Sequence, residues 1–130
     1  MTTLGHWING KALEDQSRTQ EVLNPATGEI CKRVALASKA AVEEAITAAQ
    51  AAFPAWRNTP PTKRARILYR FKELLEQNAD EICALLTEEN GKGLADARGE
   101  LFRAVENVEY ACGAPELLKG EFSKDVDRKS

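Results

Sequence analysis

The chain has 130 residues, 43% apolar and 29% charged, with a formal net charge of −2, which bounds it at one domain with a modest core. The near balance of signs gives no electrostatic footprint for nucleic acid or an anionic membrane surface. No apolar run approaches the roughly 18 residues of a membrane-spanning helix, and residues Met1 to His6 carry neither a secretory signal nor an Arg-rich presequence.

The chain opens with short strands over 6–36. His6-Trp7-Ile8 runs into a turn at Asn9-Gly10, residue types that accept positive φ. Thr19 to Leu23 alternates, Asn24-Pro25-Ala26-Thr27-Gly28 turns, and Glu29 to Leu36 alternates again, a hairpin pattern. Helices follow, over 38–53, 61–77, 79–90 and 100–112. Ser38 is a good N-cap for the first, whose stripe is Val42, Ala45, Ile46, Ala49, Ala52, Phe53 and Trp56; Pro54 is expected to end or kink it. Asn58-Thr59-Pro60-Pro61 supplies the cap and first-turn proline of the second, with Ile67, Leu68, Phe71, Leu74 and Leu75 as its buried face. Asn78 and Glu81 have capping-box spacing for the third, which carries Ile82, Leu85 and Leu86 and stops near Gly91. Gly99 opens the last, with Leu101, Phe102, Val105, Val108 and Cys112 apolar and Pro115 limiting its end. The tail, 123–130, is polar and expected to fray.

Few residues carry a chemical signal. Cys31, Cys83 and Cys112 are odd in number and far apart, which indicates reduced thiols in a cytoplasmic protein, not a disulfide frame or a zinc site. All three sit at apolar positions and read as small buried hydrophobes, not nucleophiles. His6 has no metal or triad partners nearby and reads as a surface or strand-end residue. No Gly-x-Gly-x-x-Gly follows a strand. Lys63, Arg64 and Arg66 read as a solvated helix face, since Glu73 and Glu76 follow and no aromatic platform interleaves them. Glu88-Glu89-Asn90-Gly91-Lys92 is a helix stop, with Gly91 at C′ and Lys92 at the negative end of the dipole. Arg103, Asn107 and Tyr110 stand at i, i+4 and i+7 and form one polar line. Arg103 reads either as a bidentate carboxylate ligand or as half of an i,i+3 salt bridge to Glu106 or Glu100.

Five segments in order carry a resemblance: Trp7-Ile8-Asn9-Gly10-Lys11, Asn24 to Glu29, Glu89-Asn90-Gly91-Lys92, Gly99-Glu100-Leu101-Phe102-Arg103 and Glu106-Asn107-Val108-Glu109-Tyr110. Over residues 5–122 these resemble the amino-terminal segment of the NAD-dependent aldehyde dehydrogenases. The Arg103 helix looks most like the coenzyme-A-acylating branch that acts on methylmalonate or malonate semialdehyde. The resemblance implies an α/β fold. Residues 1–122 would be the amino-terminal, incomplete part of a Rossmann-like cofactor domain, built as a β-hairpin region and then four or so helices; 123–130 departs from the family pattern. It implies that a cysteine thiolate adds to the aldehyde, hydride passes to NAD, carbon dioxide leaves, and coenzyme A takes the acyl group. The nucleophile and the cofactor strands are expected beyond Ser130, so none of the three thiols is assigned that role. The 130-residue chain alone is expected to be inactive and to bind neither NAD nor coenzyme A. The resemblance favours Arg103 as the ligand of the substrate carboxylate, in a parent enzyme that is a homo-oligomer acting on a small acid semialdehyde. Another branch of the family, a helical module that binds the full-length enzyme, and a non-functional remnant remain as alternatives.

Overall fold

Asn9 and Gly10 both take positive φ, 53° and 72°, the backbone of a two-residue hairpin turn. They join β2 (His6–Ile8) to β3 (Lys11–Leu13), which pair antiparallel with Trp7 opposite Ala12. The computed structural model describes residues 2–15 and 17–121. A second, larger hairpin joins β4 (Thr19–Leu23) to β5 (Ile30–Ala35). Its turn is organised by Asn24, whose carbonyl accepts the Gly28 N–H at 2.7 Å and whose Oδ1 accepts the Ala26 N–H at 2.9 Å; Gly28 supplies φ 74°. The expected hairpin is therefore present. The sequence reading did not include β1 (Thr3–Leu4), which lies parallel to β5 and completes a three-stranded sheet of order β1-β5-β4.

Helix α1 (Lys39–Asn58) starts where Ser38 predicts, with Ser38 Oγ accepting the Ala41 N–H at 3.1 Å. It does not end at Pro54, contrary to the sequence expectation. Proline removes the bond to the carbonyl of Gln50, but Gln50 is exposed, so water can satisfy that carbonyl. The stop comes at Thr59, whose N–H and Oγ1 both donate to the Ala55 carbonyl and whose successor is a proline. Asn58 and Thr59 thus close α1 instead of capping α2 (Pro61–Gln77), whose N-cap is Pro60 with no side-chain cap bond.

The Asn78–Glu81 capping box does not form. Asn78 Nδ2 donates backward to the Leu74 carbonyl at 2.7 Å, because α3 (Ala79–Asn90) follows α2 with only Asn78 between them. Gly91 ends α3 in the left-handed conformation, φ 79°, its N–H on the Thr87 carbonyl. Helix α4 (Leu94–Cys112) begins five residues before Gly99, the expected opener. Leu94, Ala97 and Leu101 keep helical phase across Gly99, and the fully buried Ala97 anchors the first turn, outweighing the ~1 kcal/mol that an interior glycine costs. A four-residue helix, α5 (Ala114–Leu117), follows with Pro115 in its first turn.

The core lies between α3 and α4. Cys83, Ala97, Leu101 and Val105 are buried there, with Leu75, Ala79, Ile82 and Leu86 packed against them. The face of α2 that meets α4 carries Ala65, Leu68, Lys72 and Leu75; Ile67, Phe71 and Leu74 are exposed, which corrects the buried face read from the sequence. Leu85 and Phe102 are exposed as well, and α1 has no buried residue. Its small residues Ala41, Ala45 and Ala48 are half-buried, while Val42, Ile46 and Phe53 stay open. Among the described residues, four ion pairs join separate strands and helices: Arg33–Glu21 at 3.7 Å from β5 to β4, Lys32–Glu88 at 3.2 Å from β5 to α3, Lys72–Glu109 at 3.1 Å from α2 to α4, and Arg98–Asp80 at 3.2 Å from α4 to α3. Lys72 also holds Glu76 at 2.8 Å, and the two carboxylates raise its pKa, mainly through their hydrogen bonds.

Candidate functional site: the open face of α4

Helix α4 buries one side and leaves the other to solvent. Ala97, Leu101, Val105 and Cys112 are buried against α2 and α3. A turn of 3.6 residues then puts Gly99, Arg103, Glu106, Asn107 and Tyr110 on the opposite side. Arg103 and Asn107 are exposed, and Tyr110 is 72% exposed. Arg103 therefore lies on the side of the helix away from the buried stripe. The polar line is real: Asn107 Nδ2 donates to the Arg103 carbonyl at 2.8 Å, tying two of its members together.

The guanidinium of Arg103 forms no ion pair within 4.0 Å among the described residues, so neither i,i+3 bridge, to Glu100 or to Glu106, is made. Its Nη1 lies 3.8 Å from where a Cβ on Gly99 would stand. The side chain thus folds back over the preceding turn, the usual direction on a helix. Glu100 is bonded instead to Lys92, in the short link between α3 and α4. That hydrogen bond, followed by the charge of Lys92, holds the Glu100 carboxyl below its ordinary value against the cost of desolvation, with a lesser contribution from the charge of Arg103. Lys92 follows the α3 stop at Gly91, the position read from the sequence, and its ammonium pairs with Glu100 on α4.

The Lys92 link is itself fixed by the sheet. Gly91 approaches the Pro25 ring so closely that a Cβ would lie 2.9 Å from Pro25 Cγ. The turn Asn24–Gly28 and the helix stop at Gly91 therefore meet in space. No spacing argument could reveal that, because they are more than sixty residues apart in the chain.

The other candidate residues carry less. Cys83 is fully buried and Cys112 nearly so, as expected; Cys31 is only half-buried, its Sγ donating to the Val22 carbonyl at 3.2 Å across the hairpin. His6 begins β2 with its Nε2 buried and without a hydrogen-bond partner among the described residues. No group of three potential metal ligands occurs among those residues. Lys63 and Arg66 are exposed, but Arg64 is half-buried and lies over the Trp56 ring at 5.9 Å from its centroid. Its place is a cation–π contact between α1 and α2, a correction to the solvated-face reading. The tail 123–130 lies outside the described residues.

Comparison with known proteins places this geometry. The profile of the aldehyde dehydrogenase family matches residues 12–130. Malonate-semialdehyde dehydrogenase from Pseudomonas aeruginosa is 60% identical over 126 residues, which are 97% of this chain and 25% of the relative. The crystal structure of methylmalonate-semialdehyde dehydrogenase from Oceanimonas doudoroffii superposes with a TM-score of 0.92 at 66% identity, covering 98% of this chain and 26% of that one. A Sinorhizobium meliloti protein described as a methylmalonate-semialdehyde dehydrogenase, complexed with NAD, gives a TM-score of 0.89 at 41% identity, covering 96% and 26%. The chain belongs to the aldehyde dehydrogenase family, and its mixed α/β architecture of short strands followed by helices is that of the family. It spans about a quarter of the length of these relatives.

Proposed function

We propose that this chain is the amino-terminal segment of an NAD-dependent, coenzyme-A-acylating malonate- or methylmalonate-semialdehyde dehydrogenase, in which Arg103 holds the substrate carboxylate. Residues 1–122 belong, in this reading, to the cofactor-binding domain. The observation that carries the site is the free guanidinium: Arg103 stands on the open face of α4 with no ion pair among the described residues. An acid semialdehyde differs from a simple aldehyde by one carboxylate. A planar guanidinium grips that group through two parallel N–H bonds and fixes its orientation. The identity to the Pseudomonas aeruginosa and Oceanimonas doudoroffii enzymes, 60% and 66%, supports the substrate class.

NAD would supply the hydride acceptor and coenzyme A the acyl acceptor. No Gly-x-Gly-x-x-Gly cradle occurs in this chain, so no residue here is assigned to either. The buried Cys83 and Cys112 lack the access that thiolate attack on an aldehyde requires. What this segment contributes to the reaction is recognition and orientation. The test is a chimera in which this chain replaces the matching segment of the Pseudomonas aeruginosa enzyme. Arg103→Leu in that chimera should lower kcat/KM for malonate semialdehyde roughly ten- to a hundredfold, the equivalent of the ~1.5–3 kcal/mol of a hydrogen bond to a charged group. Propanal, which has no carboxylate, should lose far less. Equal losses on both substrates at unchanged melting temperature, or no loss on either, would remove Arg103 from the site.

A second reading has its own observation. Val42, Ile46, Phe53, Ile67, Phe71 and Leu74 are large, apolar and exposed, so the segment could act as a non-catalytic module that binds a full-length enzyme. Co-elution of the separate 130-residue chain with that enzyme would favour it.

A further inference from the structure

Arg103 has a competitor built beside it. Glu100 precedes it by three residues on α4, a spacing at which helical side chains meet, with the acidic residue on the favourable N-terminal side. The Arg103 side chain also runs toward that end of the helix, over Gly99. Glu106, three residues later, lies in the direction the side chain leaves. A surface carboxylate so placed would be expected to close on the guanidinium. It does not, because Lys92 Nζ already bonds the Glu100 carboxylate. Lys92 is the better sheltered of the two, with a side chain 25% exposed against 45% for Glu100. Its backbone is set by the left-handed Gly91 and by the Pro25 ring packed on it. Glu100 feels the charge of Arg103 without bonding to it.

We infer that Lys92 is a positioning residue that keeps Arg103 available: by occupying Glu100, it prevents an intrahelical bridge that would compete with the substrate carboxylate. A binding group that is free only part of the time weakens apparent affinity by that fraction. The inference rests on the proposed role of Arg103, and the experiment separates the two. In the chimera, Lys92→Met should raise KM for malonate semialdehyde about two- to fivefold, the range a surface ion pair can command. Values of kcat, and of KM for propanal, should change by less than about twofold. Adding Glu100→Gln to Lys92→Met should bring KM for the semialdehyde back to within about twofold of the unsubstituted chimera, because the competitor is gone. Lys92→Arg should keep the original KM. A merely structural role predicts the reverse for the double variant, which loses both partners and should be no better than the single one. If Lys92→Met leaves KM unchanged while Arg103→Leu remains selective for the semialdehyde, the inference is overturned and the role of Arg103 stands. The same holds if Lys92→Met raises KM and Glu100→Gln does not restore it. If Arg103→Leu shows no selectivity, the reading of the site fails first and this inference with it.

Discussion

Gly91→Ala should be among the most damaging single-methyl substitutions in this chain, because Gly91 is constrained twice. Its φ of 79° is left-handed, which costs a residue with a Cβ about 1–2 kcal/mol. The added Cβ would also stand 2.9 Å from Pro25 Cγ and 3.4 Å from Pro25 Cβ. A pyrrolidine ring cannot swing aside as a long side chain can, so the backbone must give, at a cost of about 1–3 kcal/mol for an overpacked contact. The sum is roughly 2–5 kcal/mol. Gly10 and Gly28 provide the control. Their φ values are 72° and 74°, and a Cβ at either would meet nothing within 4 Å, so alanine there should cost only the backbone share. Urea unfolding of the chain, followed by its helical circular dichroism, measures all three. A double-mutant cycle with Pro25→Ala then isolates the contact, since alanine keeps Cβ but removes Cγ. The pair should recover about 1–3 kcal/mol relative to the sum of the single changes. If Gly91→Ala costs no more than Gly10→Ala, or if Pro25→Ala recovers nothing, the turn does not bear on the helix stop and the joint described above is wrong.

In folded protein at neutral pH, Cys31 should react with a thiol reagent well before Cys83 and Cys112, which are 0% and 4% exposed; rapid labelling of all three without denaturant would contradict the packing. The 130-residue chain should bind a hydrophobic dye and self-associate, and Ile46→Glu with Phe71→Glu should reduce both, as these side chains are about half exposed; a dye-negative monomer would show the two faces to be covered. The Glu100 carboxyl is lowered in the folded state from its ordinary 4.5, so its contribution is present at neutral pH and is lost as pH falls below that value through the folded pKa. Glu100→Gln should therefore flatten the acid decline of stability there, and an unchanged acid limb would argue against the Lys92 bond. The separate 130-residue chain should form no NADH from malonate semialdehyde, measured by absorbance against a heat-denatured control.

What could be read from the sequence was what is encoded locally. The Asn9-Gly10 turn, the hairpin around Pro25, the Ser38 cap and the Gly91 stop each rest on residues within a few positions of one another, and each is present. Errors arose where a second element decides. Pro54 is tolerated because that stretch of α1 faces solvent, and Gly99 because Ala97 and Leu101 lock the helix on both sides of it. The buried face of α2 was misread for a related reason. Its larger apolar residues, Ile67, Phe71 and Leu74, form a coherent stripe, yet the stripe that α4 covers is built on the smaller Ala65 and on Leu68 and Leu75. Periodicity identifies apolar faces but cannot say which one has a neighbour. For the candidate site, the sequence pointed to Arg103 and its polar line. It did not show that Lys92 holds Glu100, because that depends on the path of the chain between α3 and α4.

That path divides the labour among the residues that carried the family resemblance. Most of them have no reactive group and set geometry. Asn24 closes a turn, Pro25 presses on Gly91, Gly91 reverses the chain, and Lys92 emerges from the reversal facing α4. Lys32 reinforces the same junction from the sheet by holding Glu88, one turn before the stop. The result is mechanical continuity from the hairpin to the first turns of α4, where Glu100 and Arg103 stand. Buried contacts among Cys83, Ala97 and Leu101 hold α4 against α3 over the same stretch. A carboxylate ligand needs its guanidinium held to a fraction of an ångström, and such precision comes from rigid elements and the residues supporting them. In the proposed role of Arg103, a turn and a helix stop more than sixty residues apart would act on one arginine, and substitutions at Pro25 or Gly91 in the chimera should reach the acid semialdehyde through KM before they reach a neutral aldehyde.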